Sequence, residues 1–302
     1  VENAGKPKPG QSAASTDNSV NLTQDWAMHL PPLPVQGGSV TGQMQDMQGL
    51  FNLNNLVSAQ ASPTTQSTAF TQFQRLLTNL NLDPGIAYAV LDWVNKGDQP
   101  SVPGGAKDET YTRLQPPYLT AERPMTSISE LLLVAGVTPD VFQKLEPYVC
   151  VLPLQLNNGS AGGSAGGSGG GSAGGSAGGS GSGLGNGSGV GSPLVISPVP
   201  VNVNTAPPAV LMSLAPNIDL GTATALSQAL AMHPIENQSA LAGTWSQLTN
   251  NQRLPPNVGV TSNYFRLTVK VIIGSTHLTM YSLLYRNQTG GTFVIRRTFG
   301  TL

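Results

Sequence analysis

Apolar and polar positions along this chain keep two different periods in different places. Near the C-terminus, Phe265-Arg266-Leu267-Thr268-Val269-Lys270-Val271 alternates strictly, the period of a half-buried strand. Leu278 to Tyr285 and Phe293 to Arg297 read as two more strands, with turns at Gly274-Ser275 and at Asn287 to Gly291. Together they predict an antiparallel meander with one wet face. A further strand is expected within 39–56, where Val40, Met44 and Met47 lead into Leu50, Phe51, Leu53 and Leu56; Gly49 marks a bulge or bend, and Asn52 to Asn55 an irregular turn. Ahead of it, residues 1–40 are polar and read as an arm or tail, with a short element at Asp25 to Met28 that packs through Trp26.

Between these ends the period is helical. Phe70, Phe73, Leu76, Leu77 and Leu80 make one stripe, and Asp83-Pro84 reads as cap and first turn of a second helix carrying Ile86, Val90, Leu91 and Val94. Ser127-x-x-Glu130 is a capping box before Leu131 to Val134, closed by Gly136; Thr138-Pro139 caps the next helix, with Val141, Phe142 and Leu145 inside. A second pair echoes the first: Thr205 is the expected N-cap before Val210, Leu211 and Leu214, and a partner runs over 221–231. A third, weaker piece covers 237–247 with Trp245. Strand signal at both ends, with helices between, gives the α+β class: a small antiparallel sheet domain interrupted by a large helical insertion domain with paired short helices. The divisions read from the chain are 1–56, the first part of the sheet domain; 57–256, the insertion; and 257–302, the closing strands.

Composition alters this picture in two ways. Half of the 36 glycines lie in 159–192, a Ser-Ala-Gly-Gly repeat unable to bury apolar surface, hence a flexible linker inside the insertion. Charged residues are only 10% and the net charge is -1, so nothing global draws the chain to nucleic acid or an anionic membrane. The single cysteine, Cys150, excludes an internal disulfide and reads as a small buried hydrophobe. No run of 18 apolar residues occurs, and Val1 reads as a processed or truncated start.

Candidate chemistry is sparse. His29, His233 and His277 lie far apart, with no His-Glu-x-x-His, Cys-x-x-Cys or phosphate-loop motif, which argues against an enzyme. The paired helices resemble helix-hairpin-helix units, so nucleic-acid binding is the rival reading. Its glycine hairpin position, however, reads Ala215-Pro216-Asn217-Ile218-Asp219, with almost no basic residue near, and the pairs are better read as packing units. The segment from Leu91 to Tyr111 gathers Asp92, Asp98, Asp108 and Glu109 among Asn95, Gly97, Pro100, Pro103, Gly104 and Gly105. Two readings stay open from the residues: a solvated loop whose acids bond their own backbone, or a hard-cation site of oxygen donors without EF-hand spacing.

Several stretches occur in one order: Gln48-Gly49-Leu50-Phe51-Asn52-Leu53-Asn54, Leu91-Asp92-Trp93, Gly105-Ala106-Lys107-Asp108, Glu130 to Gly136, Pro147-Tyr148-Val149, Val201 to Ala206, and Ser262-Asn263-Tyr264-Phe265. This order resembles the large minor pseudopilin of bacterial type II secretion systems, the GspK (XcpX, PulK) family, over roughly residues 22 to 300 apart from the Gly/Ser segment. The resemblance implies a pilin-like sheet with an inserted helical domain. It implies a non-enzymatic place at the tip of a periplasmic pseudopilus that supports export of folded proteins, with the missing N-terminal apolar helix anchoring the full-length protein in the inner membrane. It implies partners of the GspI and GspJ types, then the GspH type and the major pseudopilin fibre, with the secretin or secreted substrates as further contacts. It also implies structural calcium, with Asp98, Asp108 and Glu109 as ligands and Asp92 and Asn95 next. Asn95 and Lys107 depart from the family pattern by standing where acids are common.

Overall fold

A computed structural model of the chain describes residues 19–28, 31–57, 67–157, 195–287 and 290–300. The 159–192 linker, His29 and the first 18 residues lie outside them. In chain order the strands are β1 (Leu33–Val35), β2 (Gly38–Asp46), β3 (Phe51–Asn52), β4 (Val149–Cys150), β5 (Gln155–Asn157), β6 (Val195–Ser197), β7 (Val201–Asn202), β8 (Val258–Gly259), β9 (Tyr264–Ile273), β10 (Thr276–Arg286) and β11 (Thr292–Phe299). The helices are α1 (Thr68–Asn79), α2 (Ile86–Val94), α3 (Asp108–Tyr111), α4 (Pro139–Leu145), α5 (Pro208–Leu214), α6 (Leu220–Met232) and α7 (Gln238–Leu248).

Five strands form one antiparallel sheet in the order β1-β2-β9-β10-β11. β2 lies beside β9, with Asp46 opposite Phe265, so residues 47–263 form an excursion between two hydrogen-bonded neighbours. The three C-terminal strands stand where alternation places them. The β1–β2 hairpin does not show in the pattern, because Leu33-Pro34-Val35 is short and exposed and turns through Gly37 at φ +80°. Burial also departs from one wet face: it varies along the strands, not across them. At the near end both faces are covered, Tyr264 packing on Met47, Leu50, Cys150 and Leu152, and Phe265 on Trp26, Val20 and Leu284. At the far end Ile272, Ile273 and Leu278 are exposed on neighbouring strands.

The excursion carries the larger core. The α1 stripe buries Phe70, Phe73, Leu76 and Leu77 against α2 and against Phe51, Leu53 and Leu56, with Phe51 and Phe73 stacked at 5.3 Å. A second core closes α5, α6 and α7 around Trp245. Three local expectations change. α2 begins at Ile86, because Asp83 spends its carboxylate on the Gly85 N–H (2.8 Å) and the first turn is tighter than α. The capping box at Ser127 and Glu130 is present, but it opens a 3-10 helix over Ile128–Leu133. Thr205 is no N-cap: Pro207 takes that position, and the Thr205 hydroxyl donates instead to Asp46 Oδ2 at 2.6 Å.

Irregular segments need partners for their backbone groups. Here buried asparagines supply them. Asn54 Nδ2 donates to the Met125 and Leu152 carbonyls (3.0 Å each) while its Oδ1 accepts the Met125 N–H (2.7 Å). Asn55 brackets Val199 in the same way, and Asn204 brackets Ile235. These side chains act as short pieces of strand edge, tying segments far apart in sequence.

Candidate functional site

Two polar constructions stand out against a chain with few charges. The first joins the sheet to the helical body. Asp46 ends β2 and is buried; its Oδ1 accepts the Gln48 N–H at 2.9 Å, and its Oδ2 accepts Asn202 Nδ2 (2.9 Å), Thr205 Oγ1 (2.6 Å) and Ser262 Oγ (2.6 Å). Burial raises the Asp46 carboxyl above its ordinary value, opposed by the bonds from Ser262, Thr205, Gln48 and Asn202. One carboxylate therefore ties the end of β2 to the β7 region and to the entry of β9. Gly49 lies at the same junction. It makes no bulge; it is there because a Cβ would stand 2.8 Å from the Thr205 carbonyl oxygen.

The second is the segment between α2 and α3, where cation ligands were expected. Asp92 is buried and receives the Ser101 N–H (2.9 Å) and hydroxyl (2.6 Å). Gly105 lets this loop close, since a Cβ there would meet Asp92 Oδ2 at 2.1 Å. Asn95 directs its amide N–H groups at the Leu56 and Leu91 carbonyls (3.0 and 2.9 Å). Asp98 is exposed. Asp108 opens α3 and accepts the Thr120 N–H at 2.8 Å together with the Thr120 hydroxyl; these bonds, hydroxyl first, hold its carboxyl below the ordinary range. Glu109, exposed on α3, pairs with Arg113.

Calcium requires six to eight oxygens around one point. The five expected ligands are not gathered there: Asp92, Asn95, Asp108 and Glu109 each turn to a different partner, and Asp98 stands exposed. Among the described residues no three His, Cys, Asp or Glu side chains gather as metal ligands. The residues as placed do not fit the ion, and the solvated-loop reading describes Asp98 and Glu109 better. The centre of this segment is Lys107, only 5% exposed, whose Nζ lies 2.8 Å from the Asp92 carbonyl oxygen, 2.6 Å from that of Asn95 and 3.7 Å from Glu122 Oε1. The signal was present in the sequence as a lone lysine inside a Gly-Ala-Lys-Asp stretch beside an aromatic cluster. Trp93, Tyr111 and Tyr118 pack there with ring centroids 5.3 to 6.3 Å apart.

Neither construction is a catalytic centre: Asp46 and Lys107 are closed off by their own partners, and His233 and His277 are exposed on different elements. Val210, Leu211 and Leu214 of α5 and Ala223, Leu226 and Leu230 of α6 share one core with Leu241 and Trp245 of α7, as befits packing units. Cys150 is buried, with its thiol against the Met47 carbonyl oxygen at 3.2 Å, and burial pushes its pKa up.

Comparison with known proteins places these features. Models of the type II secretion system (T2SS) protein K match residues 49–154 and 201–244. Type II secretion system protein K of Klebsiella pneumoniae is 28% identical, over 96% of this chain and 78% of that protein. The Pectobacterium carotovorum subsp. carotovorum protein of the same name is 36% identical, over 43% of this chain and 42% of its own length. The fold is also that of a chain in the crystal structure of the GspK-GspI-GspJ complex from the enterotoxigenic Escherichia coli type 2 secretion system, at a TM-score of 0.65 and 21% identity, covering 95% of this chain and 89% of that one.

Proposed function

The chain belongs to the type II secretion system protein K family and is a minor pseudopilin, and on that premise we propose that it works, without catalysis, as the tip subunit of the pseudopilus. The observation that carries this is the place of the insertion. Residues 47–263 leave and re-enter the sheet between adjacent strands β2 and β9, and the Asp46 junction ties the helical body to that end. Subunits that stack head to tail build open filaments. A subunit with one of its two stacking ends filled by a second core ends the series, so it initiates or caps the fibre.

A capping subunit also needs a surface for its neighbours. β11 is an edge strand whose Phe293, Val294, Ile295 and Phe299 are all exposed, and the register with β10 shifts at Ile295. Unpaired edges and contiguous exposed apolar side chains are unfavourable unless something covers them. The partners that suit the role are minor pseudopilins of the I and J types, named with protein K in the Escherichia coli complex, followed by the H type and the major pseudopilin. The location is the periplasm. Among the described residues no helix is long and apolar enough to cross a membrane.

The test is reconstitution. Mixed with the I- and J-type pseudopilins of its own system, the chain should elute as one complex with one copy of each, measured by light scattering. Val294→Glu should abolish that complex and leave the melting temperature unchanged. Three separate peaks with the unaltered chain would refute the assignment.

A further inference from the structure

We propose that the Lys107 ammonium is the built-in cation of the segment between α2 and α3, and that the folded chain takes no calcium. The last carbonyls of a helix have no partner within it and carry the negative end of its dipole. At the end of α2 they are met from the loop. Lys107 Nζ donates to Asp92 O at 2.8 Å and Asn95 O at 2.6 Å, and the Glu122 N–H donates to Trp93 O at 2.9 Å. The third direction of the ammonium faces Glu122 Oε1 at 3.7 Å, and that carboxylate also accepts the Gly97 N–H at 3.3 Å. An ammonium has three protons and no acceptor; two go to these carbonyls, and the carboxylate supplies the counter-charge at ion-pair distance.

This is the work a structural calcium performs in a loop: neutralise an acid, collect carbonyl oxygens, hold an irregular chain against a helix. The two cations exclude each other, because an ion held by the same oxygens would sit in contact with a positive charge. The carboxylates nearby agree with this. Asp92 turns away to Ser101 and Asp108 to Thr120, so Glu122 is the carboxylate that pairs with the ammonium. Lys107 is a positioning residue for the loop, and the inference stands whether or not the chain caps a pseudopilus.

Thermal unfolding of the whole chain in millimolar calcium chloride and in EGTA decides it. The unaltered chain should melt at one temperature in both, and dialysis against calcium-45 should find no stoichiometric ion. Lys107→Met, which strands two carbonyls and a carboxylate, should melt about 5–10 °C lower in both media. Lys107→Asp puts a carboxylate beside Glu122 in place of the cation; calcium should raise its melting temperature where it leaves that of the unaltered chain in place. A calcium-dependent rise or bound calcium-45 in the unaltered chain would overturn the proposal without recourse to any variant, and so would Lys107→Met melting as the unaltered chain does.

Discussion

Asp46→Ala tests the junction between sheet and helical body most directly. The carboxylate accepts four hydrogen bonds, at 2.6 to 2.9 Å, and is 3% exposed. Bonds to a charged group contribute about 1.5–3 kcal/mol each, a gross of about 6–12 kcal/mol. Desolvating a buried carboxylate takes back several kcal/mol of that. Removing one member of such a construction leaves its donors buried without a partner, and the net loss comes to about 3–5 kcal/mol. In a chain of this size that lowers the melting temperature by about 10 °C. Urea unfolding followed by tryptophan fluorescence is the assay, since Trp26 lies 5.2 Å from Phe265 and reports on the near end of the sheet. The midpoint should fall with the slope unchanged. The pH dependence has a definite sign. Burial raises the Asp46 carboxyl above 3.8 in the folded state, so its protonation adds stability that is complete below 3.8 and is lost as pH rises through the folded value. The gap between the unaltered chain and Asp46→Ala should therefore widen on acidification toward 3.8. A loss below about 1 kcal/mol, or a gap that narrows in acid, would refute this account of the junction.

Two further substitutions probe single contacts. Gly49→Ala drives a methyl group into the Thr205 carbonyl at 2.8 Å and should cost about 1–3 kcal/mol by thermal melting, whereas Gly42→Ala, with no atom within 4 Å, should change stability by less than about 0.5 kcal/mol; equal effects would refute the close approach. Thr120→Val removes the hydroxyl bond to Asp108, so the Asp108 carboxyl should move up toward 3.8 in an NMR titration. Because that carboxyl is held low in the folded state, its contribution is present above 3.8 and fades as pH falls through the folded value, and the variant's deficit should shrink in acid; an unmoved Asp108 titration would refute the assignment.

What the sequence disclosed and what it withheld divide along a physical line. Periodic burial is written locally, so β9, β10, β11 and the α1 stripe stand where alternation and helical spacing put them. The caps at Ser127 and Thr138 do too, being contacts within four residues. Contacts across the chain leave no periodic trace. Thr205 looks like a cap because a threonine before two prolines usually is one; only the fold brings Asp46 to it. Gly49 looks like a bend because nothing local shows the Thr205 backbone against it. The acids from Asp92 to Glu109 look like ligands because they are close in sequence, yet Asp92, Asp108 and Glu109 have each turned to a separate donor and Asp98 stands exposed. In a chain with so few charges, a buried one is costly enough to be placed with care. Asp46 and Lys107 are both surrounded by groups that match their charge, and both sit where irregular backbone meets a regular element. The asparagines that bracket Met125, Val199 and Ile235 work the same way without charge. It follows that the Asn-Leu-Asn and Val-Asn-Val-Asn runs mark fastenings of the insertion. Substitutions there should loosen the union of sheet and helical body before they touch any surface that a partner meets.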